Sequence, residues 1–143
     1  MKTLKVNVFL LCLFTVISCS RQFHVAKLIP GQTYTDEAVS RLGDPDFTQF
    51  ENPTKQVMVW KDVTIQAREE LITVVQRAPA SYETKLQFWR QHYKNYPQQF
   101  TKIENSAEAG EHLWQLHLPS QRMNIIYDET RDTVTEVMYY NVQ

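Results

Sequence analysis

Residues 113–127 decide the fold class: Leu113-Trp114-Gln115-Leu116-His117-Leu118, then Pro119-Ser120-Gln121-Arg122, then Met123-Asn124-Ile125-Ile126-Tyr127. Alternate positions of the first run are apolar. In an extended strand Trp114, Leu116 and Leu118 therefore share one face, and Gln115 and His117 take the other. After the turn-rich link, Met123, Ile125 and Tyr127 point to the same core. The pattern continues on both sides, with Phe100-Thr101-Lys102-Ile103 upstream and Val134 to Tyr140 beyond the polar stretch 128–132. Short polar connections between successive strands predict an antiparallel meander.

Upstream, Val57-Met58-Val59-Trp60 and Val63-Thr64-Ile65 read as strands, as does the β-branched run Glu70-Leu71-Ile72-Thr73-Val74-Val75-Gln76, which pairs with one or the other. Two segments carry helical periodicity. In residues 32–45, Thr35 is placed to cap, Asp36 and Glu37 occupy the first turn, Ala38, Val39 and Leu42 form an apolar stripe, and Gly43 with Pro45 marks the stop. A second helix is predicted from Ser81 to Pro97, with Tyr82, Leu86, Trp89, Tyr93 and Tyr96 on one face. A shorter helical turn is expected before Pro30-Gly31. The expectation is an α+β fold: one small domain whose antiparallel meander sheet is covered on one face by two main helices, the other face remaining partly solvated.

The amino terminus reads as an address. Lys2 and Lys5 precede a short apolar run that ends in Val16-Ile17-Ser18-Cys19. A basic start, an apolar middle and a small residue before the cut make a signal peptide. The run from Val6 to Ile17 contains Asn7 and Thr15 and falls short of the roughly 20 apolar residues that span a bilayer. Val16-Ile17-Ser18-Cys19 resembles the lipobox of bacterial lipoproteins, which implies cleavage before Cys19 and acylation of that residue; simple secretion by an ordinary signal is the alternative. The organisation expected is a signal peptide over 1–18, a lipidated tether over 19–23, and a single domain over 24–143.

Cys12 lies in the leader, so a processed chain keeps Cys19 alone and its domain must hold together by packing without a disulfide. Roughly 120 residues remain, enough for one core. Loss of Lys2 and Lys5 leaves thirteen basic against sixteen acidic side chains, which gives no basic footprint for nucleic acid. Only Arg21 and Lys27 lie near Cys19, so membrane attachment rests on acyl chains, each buried CH₂ contributing about 0.8 kcal/mol.

Pro30-Gly31-Gln32-Thr33, the helix after it, and Leu42-Gly43-Asp44-Pro45 resemble the motif of the BamE-like (SmpA/OmlA) family of small outer-membrane lipoproteins. Ala38 stands where the family carries a larger apolar residue. Val57 to Trp60 resembles the family's first strand, and Asn124 to Asp128 with Val134 to Val137 resembles its closing hairpin. The resemblance implies helices packed on a small antiparallel sheet and, by its best-known member, an accessory role in inserting β-barrels into the outer membrane. The same helix-and-sheet unit in tandem builds secreted β-lactamase inhibitor proteins.

Catalytic and metal-binding patterns are not evident. His112 and His117 are five apart and would point to opposite faces of a strand, while His24 and His92 are isolated. Asp128, Glu129 and Asp132 lack the glycine and the regular spacing of a calcium loop. With Gly31, Gly43 and Gly110 alone there is no glycine-rich phosphate loop and no Gly-x-Ser-x-Gly elbow. No catalytic residue, cofactor or metal is assigned.

Binding is the better-supported expectation. Tyr139 and Tyr140 point to opposite faces of the last strand, so one faces outward; Phe88 falls off the apolar stripe of its helix, as boundary packing or as an exposed aromatic. These three are the candidate partner contacts, and an edge strand offers another. The sequence thus predicts a non-enzymatic outer-membrane lipoprotein on the periplasmic face, attached to the membrane through lipid on Cys19. It would bind a protein partner in outer-membrane assembly or maintenance, with a tethered binding or inhibitory protein for a soluble target as the alternative. Oligomeric state is not encoded in any pattern here.

Overall fold

The computed structural model describes residues 24–103 and 112–141. Its described elements run in the order α1 (Thr35–Leu42), β1 (Phe47–Asn52), β2 (Lys55–Trp60), β3 (Val63–Arg68), β4 (Leu71–Arg77), α2 (Leu86–His92), β5 (Gln99–Lys102), β6 (Leu113–Leu118), β7 (Met123–Asp128) and β8 (Thr133–Tyr140). All eight strands form one antiparallel sheet in the order β1-β2-β3-β4-β8-β7-β6-β5. The expected α+β class, meander connectivity and one-sided helical cover are all present. The strand at 70–76 pairs with β3, the second of its two expected partners.

The element order is a helix and a four-stranded meander, given twice. Each half is its own meander, and the halves join where β4 pairs with β8, Val75 opposite Tyr139 and Arg77 opposite Val137. The burial pattern repeats with the topology. In β2 the buried positions are Met58 and Trp60, and in β6 they are Leu116 and Leu118, the same places in each strand. Ile72 and Val75 in β4 match Val134 and Val137 in β8 in the same way.

Each half has its own core. In the first, Ala38 and Leu42 of α1, with Val25 and Leu28 from the turn before it, pack on Met58, Trp60, Val63, Ile65, Ile72 and Val75. In the second, Trp89 of α2 packs on Leu116, Leu118, Met123, Ile125, Val134 and Val137. Burying a side chain of this size contributes roughly 1.5–3 kcal/mol. Period-two alternation sends most of these strand residues to the same face, and one extra residue in β4 and another in β8 bring Ile72 with Val75, and Val134 with Val137, to it although each pair is three apart. Tyr139 touches both cores. Each tryptophan also satisfies its indole N–H: Trp60 donates to the Gly43 carbonyl at 3.0 Å and Trp89 to the Glu83 carbonyl at 2.7 Å.

Three local expectations change. Residue Tyr34, in extended conformation, precedes the first turn of α1, and Thr35 is already helical without a side-chain cap; the N–H of Thr35 instead donates to the Glu70 carbonyl. The helix expected from Ser81 onward is broken. A 3₁₀ turn, Ser81–Glu83, precedes α2, which ends at His92. The carboxylate of Glu83 accepts from the Ala80 N–H at 2.8 Å and caps that turn, and the extended backbone of Lys85 separates it from α2. An additional strand, β1, lies at the sheet edge where no alternation marks it, since all of Phe47–Asn52 is exposed.

Candidate functional site

Two helices cover one face of the sheet, so the other is the broadest surface without a helix among the described residues. Register fixes its composition. One row crosses all eight strands: Phe47, Val59, Thr64, Gln76, Met138, Asn124, His117 and Gln99 are successive cross-strand partners. A parallel row runs Gln49, Val57, Gln66, Val74 and Tyr140. Neither row contains a lysine, arginine, aspartate or glutamate, in a chain that is 22% charged. On the other side, Thr101, Gln115, Ile126 and Glu136 form a third row with a single carboxylate.

The strand residues of this face are mostly half-buried by their neighbours. Near its middle, His117 and Tyr140 stack with ring centroids 6.1 Å apart at 14°, and His117 Nδ1 lies 2.6 Å from Asn124 Oδ1. These contacts fix two large side chains in place before any partner arrives. Preset aromatic area with few rotatable bonds lowers the ordering cost of association.

At one end the face carries cations. Lys55 and Arg68 are direct cross-strand partners, and together with Thr73, Val74 and Asn141 they line a notch of about 340 Å³. Arg122 reaches its rim, donating to Asn141 Oδ1 at 3.4 Å, and Lys55 pairs with Glu51 at 2.5 Å.

The structure separates the three aromatic candidates. Tyr140 stands on the uncovered face. Tyr139 points the other way, between the two cores, where its hydroxyl accepts a hydrogen bond from Arg77 at 3.0 Å. Phe88 rests against the second core and makes edge contacts with Tyr82 and Trp89 while stacking on His92. Cys19 and the leader lie outside the described residues. Sequence reasoning missed Val57, Val59, Val74 and Met138 as members of the exposed sheet surface. The signal was present as their alternation with Met58, Trp60, Val75 and Val137.

The most heavily charged interior point is structural. Arg77 occupies the covered face midway along the row Trp60, Val63, Arg77, Val137, Ile125 and Leu116, at the seam between the two cores. Its guanidinium forks onto the Glu83 carboxylate at 2.6 and 3.0 Å. Burial works against the charge, but the bonds to Glu83 and Tyr139 outweigh it and hold the Arg77 pKa above its ordinary value. Such a network fixes how the two halves meet.

Beside α2 a shallow groove of about 670 Å³ runs between Lys85, Gln87, Arg90, Gln91 and Tyr127. Asp132 at its edge takes bonds from Lys85 at 2.8 Å and Tyr127 at 3.0 Å. Those bonds, Lys85 first, lower the Asp132 pKa, and the bond to Asp132 raises that of Tyr127. The carboxylate is thus committed to its neighbours. No cluster of three or more histidines, cysteines, aspartates or glutamates is placed to hold a metal among the described residues. No helix among them is long and apolar enough to cross a membrane.

No protein-family model, curated protein or solved structure matches the chain.

Proposed function

We propose that this chain is a lipid-anchored, periplasm-facing and non-enzymatic binding module of the outer membrane, tethered at Cys19 and meeting a protein partner across the uncovered face of its sheet. The observation that carries the reading is the absence of charge from the two main rows of that face. A surface that stays in water has no reason to exclude lysine and glutamate, whereas the centre of a protein interface does. Tyr140 and Met138, residue types enriched in interfaces, sit in those rows.

The lipobox supports the tether, and the buried anchor at Val25 and Leu28 supports its shortness. Fully extended, the segment from Cys19 to Val25 reaches roughly 20 Å, so the domain works beside the membrane. Such a position suits a role in outer-membrane assembly or maintenance.

One observation favours a second reading. The helix-and-four-strand unit occurs twice, which is the doubling that the resemblance associates with secreted inhibitor proteins. In that reading the same face takes a soluble target. Affinity purification from gently solubilised envelopes, with wild type beside Met138→Glu, distinguishes them. Envelope machinery recovered by wild type and lost with the variant supports the first reading, and a soluble protein with the same dependence supports the second. Equal recovery by both proteins would refute the use of this face.

A further inference from the structure

We propose that the helix side of the second half is a lipid-docking surface, on which the aromatic and basic side chains of α2 and its flanks rest against an anionic membrane and turn the uncovered sheet face away from it. The proposal rests on the tether at Cys19 taken above and adds the orientation of the domain.

Charge is unevenly placed along the chain. From Thr84 to Lys102 stand Lys85, Arg90, Lys94 and Lys102, and all sixteen aspartates and glutamates lie outside that stretch. A processed chain therefore carries four positive charges there and, with nine basic against sixteen acidic side chains, seven negative charges elsewhere. Lys85 is answered by Asp132. Among the described residues no carboxylate is within ion-pair distance of Arg90 or Lys94, both exposed. The Arg90 guanidinium lies over the Phe100 ring, 6.0 Å from its centre.

Aromatic rings line the same side. Between ring centroids, Tyr82 meets Phe88 at 5.5 Å, Phe88 meets His92 at 5.6 Å, His92 meets Tyr93 at 4.7 Å and Tyr93 meets Tyr96 at 6.1 Å, a continuous ribbon along α2. Its two ends are open to solvent, Tyr82 at 67% and Tyr96 at 47% exposure. Tyrosine rings, apolar in body and polar at the tip, settle at the headgroup level of a bilayer. Cations beside them are drawn to anionic lipid, each favouring docking about fivefold.

An acidic protein would satisfy the same cations, but the tether favours the membrane. Val25 and Leu28 pack in the first core on the sheet face that Trp89 covers in the second, so the chain enters the fold on the helix side. A reach of roughly 20 Å from Cys19 keeps that side, and not the uncovered face, against the bilayer.

The test uses the full-length protein purified from its own cells, with a photoreactive phenylalanine analogue at Gln91 on α2 or at Gln66 on the uncovered face. It is added to vesicles of phosphatidylcholine alone or mixed with phosphatidylserine. Flotation reads attachment, and lipid adducts read which side meets the bilayer. The expected result is flotation with both vesicles and a lipid adduct from Gln91, not Gln66, that is stronger on the anionic ones. Its yield there should fall at least about tenfold in Arg90→Glu with Lys94→Glu and be retained in Arg90→Lys. If the double reversal lowers the melting temperature, Lys94→Glu alone replaces it, with a loss of about fivefold expected.

Equal Gln91 adducts on the two vesicles, or adducts that ignore the reversal, in protein that floats with both would overturn lipid docking and leave the tether standing. Adducts from Gln66 instead would overturn the orientation. Flotation with anionic vesicles alone, through Arg90 and Lys94, would support the docking and remove the tether, and flotation with neither would overturn both. In living cells, a Gln91 adduct to an acidic protein in place of lipid would overturn the choice of partner.

Discussion

Removing Glu83 should cost this small domain a large part of its stability, although the residue lies in a short connection and touches no proposed ligand surface. The Arg77 and Glu83 side chains are 11% and 8% exposed, respectively. At that depth solvent does little to screen the pair. Glu83→Ala leaves a guanidinium in the seam between two apolar cores with Tyr139 and the Ala78 carbonyl as its remaining bonds, and it frees the buried Ala80 N–H. Breaking a buried pair from one side costs about 3–5 kcal/mol, against a total stability of roughly 5–15 kcal/mol for a domain. Arg77→Ala should cost a similar amount, because it strands the carboxylate instead. Urea unfolding followed by circular dichroism measures both, and the double variant closes the cycle. The account requires the double variant to be less destabilised than the sum of the singles, by about 2 kcal/mol or more. Single losses under about 1 kcal/mol, the range of an exposed ion pair, would refute the placement of this network at a dry seam.

Three further outcomes follow from the packing. Trp89→Phe deletes the N–H that satisfies the Glu83 carbonyl and should cost about 1–3 kcal/mol; an unchanged thermal midpoint would show that the bond is dispensable. Gly31 has φ +81°, and a Cβ there would lie 2.5 Å from the Asn141 side chain. Gly31→Ala should therefore lower stability by about 1–2 kcal/mol, read as a shift of the urea midpoint, and an equal midpoint would contradict the close approach. At alkaline pH, burial raises the Tyr93 pKa, and the bond to Asp132 raises that of Tyr127, both above the ordinary 10.0. A folded-state pKa above the unfolded one contributes stability that is complete below pH 10 and is lost as pH climbs through the folded value. Unfolding should thus steepen above that pH and be blunted by Tyr93→Phe, whereas an identical alkaline limb in that variant would count against the assignment.

The alternating apolar positions of 113–118 and 123–127 were sufficient to read strands, because a half-buried sheet writes its own period into the chain. Less was legible where tertiary context overrode local pattern. The hairpin between β3 and β4 turns on Glu69 and Glu70, both at positive φ. Neither is a glycine or an asparagine, so Glu70 reads as strand. The aromatic spacing from Tyr82 to Tyr96 is that of one helix, yet the turn at Ser81–Glu83 stops after three residues and Lys85 is extended before α2 begins, a break that the spacing of the aromatics does not mark.

The internal doubling is hidden for a different reason. Equivalent sites keep their burial and change their identity, as with Trp60 and Leu118 or Val63 and Met123. The turns also differ in length, residues 61–62 against 119–122 and 69–70 against 129–132, so matched positions drift apart. Of the candidate contacts, alternation showed that one of Tyr139 and Tyr140 faces outward, and the pairing of β8 with β4 was needed to tell which. The cation pair of Lys55 and Arg68 required the register of two strands, which no single segment encodes.

Tethering through one acylated cysteine is the premise on which the proposed binding face is assigned to the outer membrane, and mass spectrometry of the native amino terminus tests it most directly. The account predicts that the mature chain begins at Cys19 and carries fatty-acyl groups on both its sulfur and its amino nitrogen. A chain that begins elsewhere, or a Cys19 free of acyl groups in protein isolated from its own membranes, would contradict it.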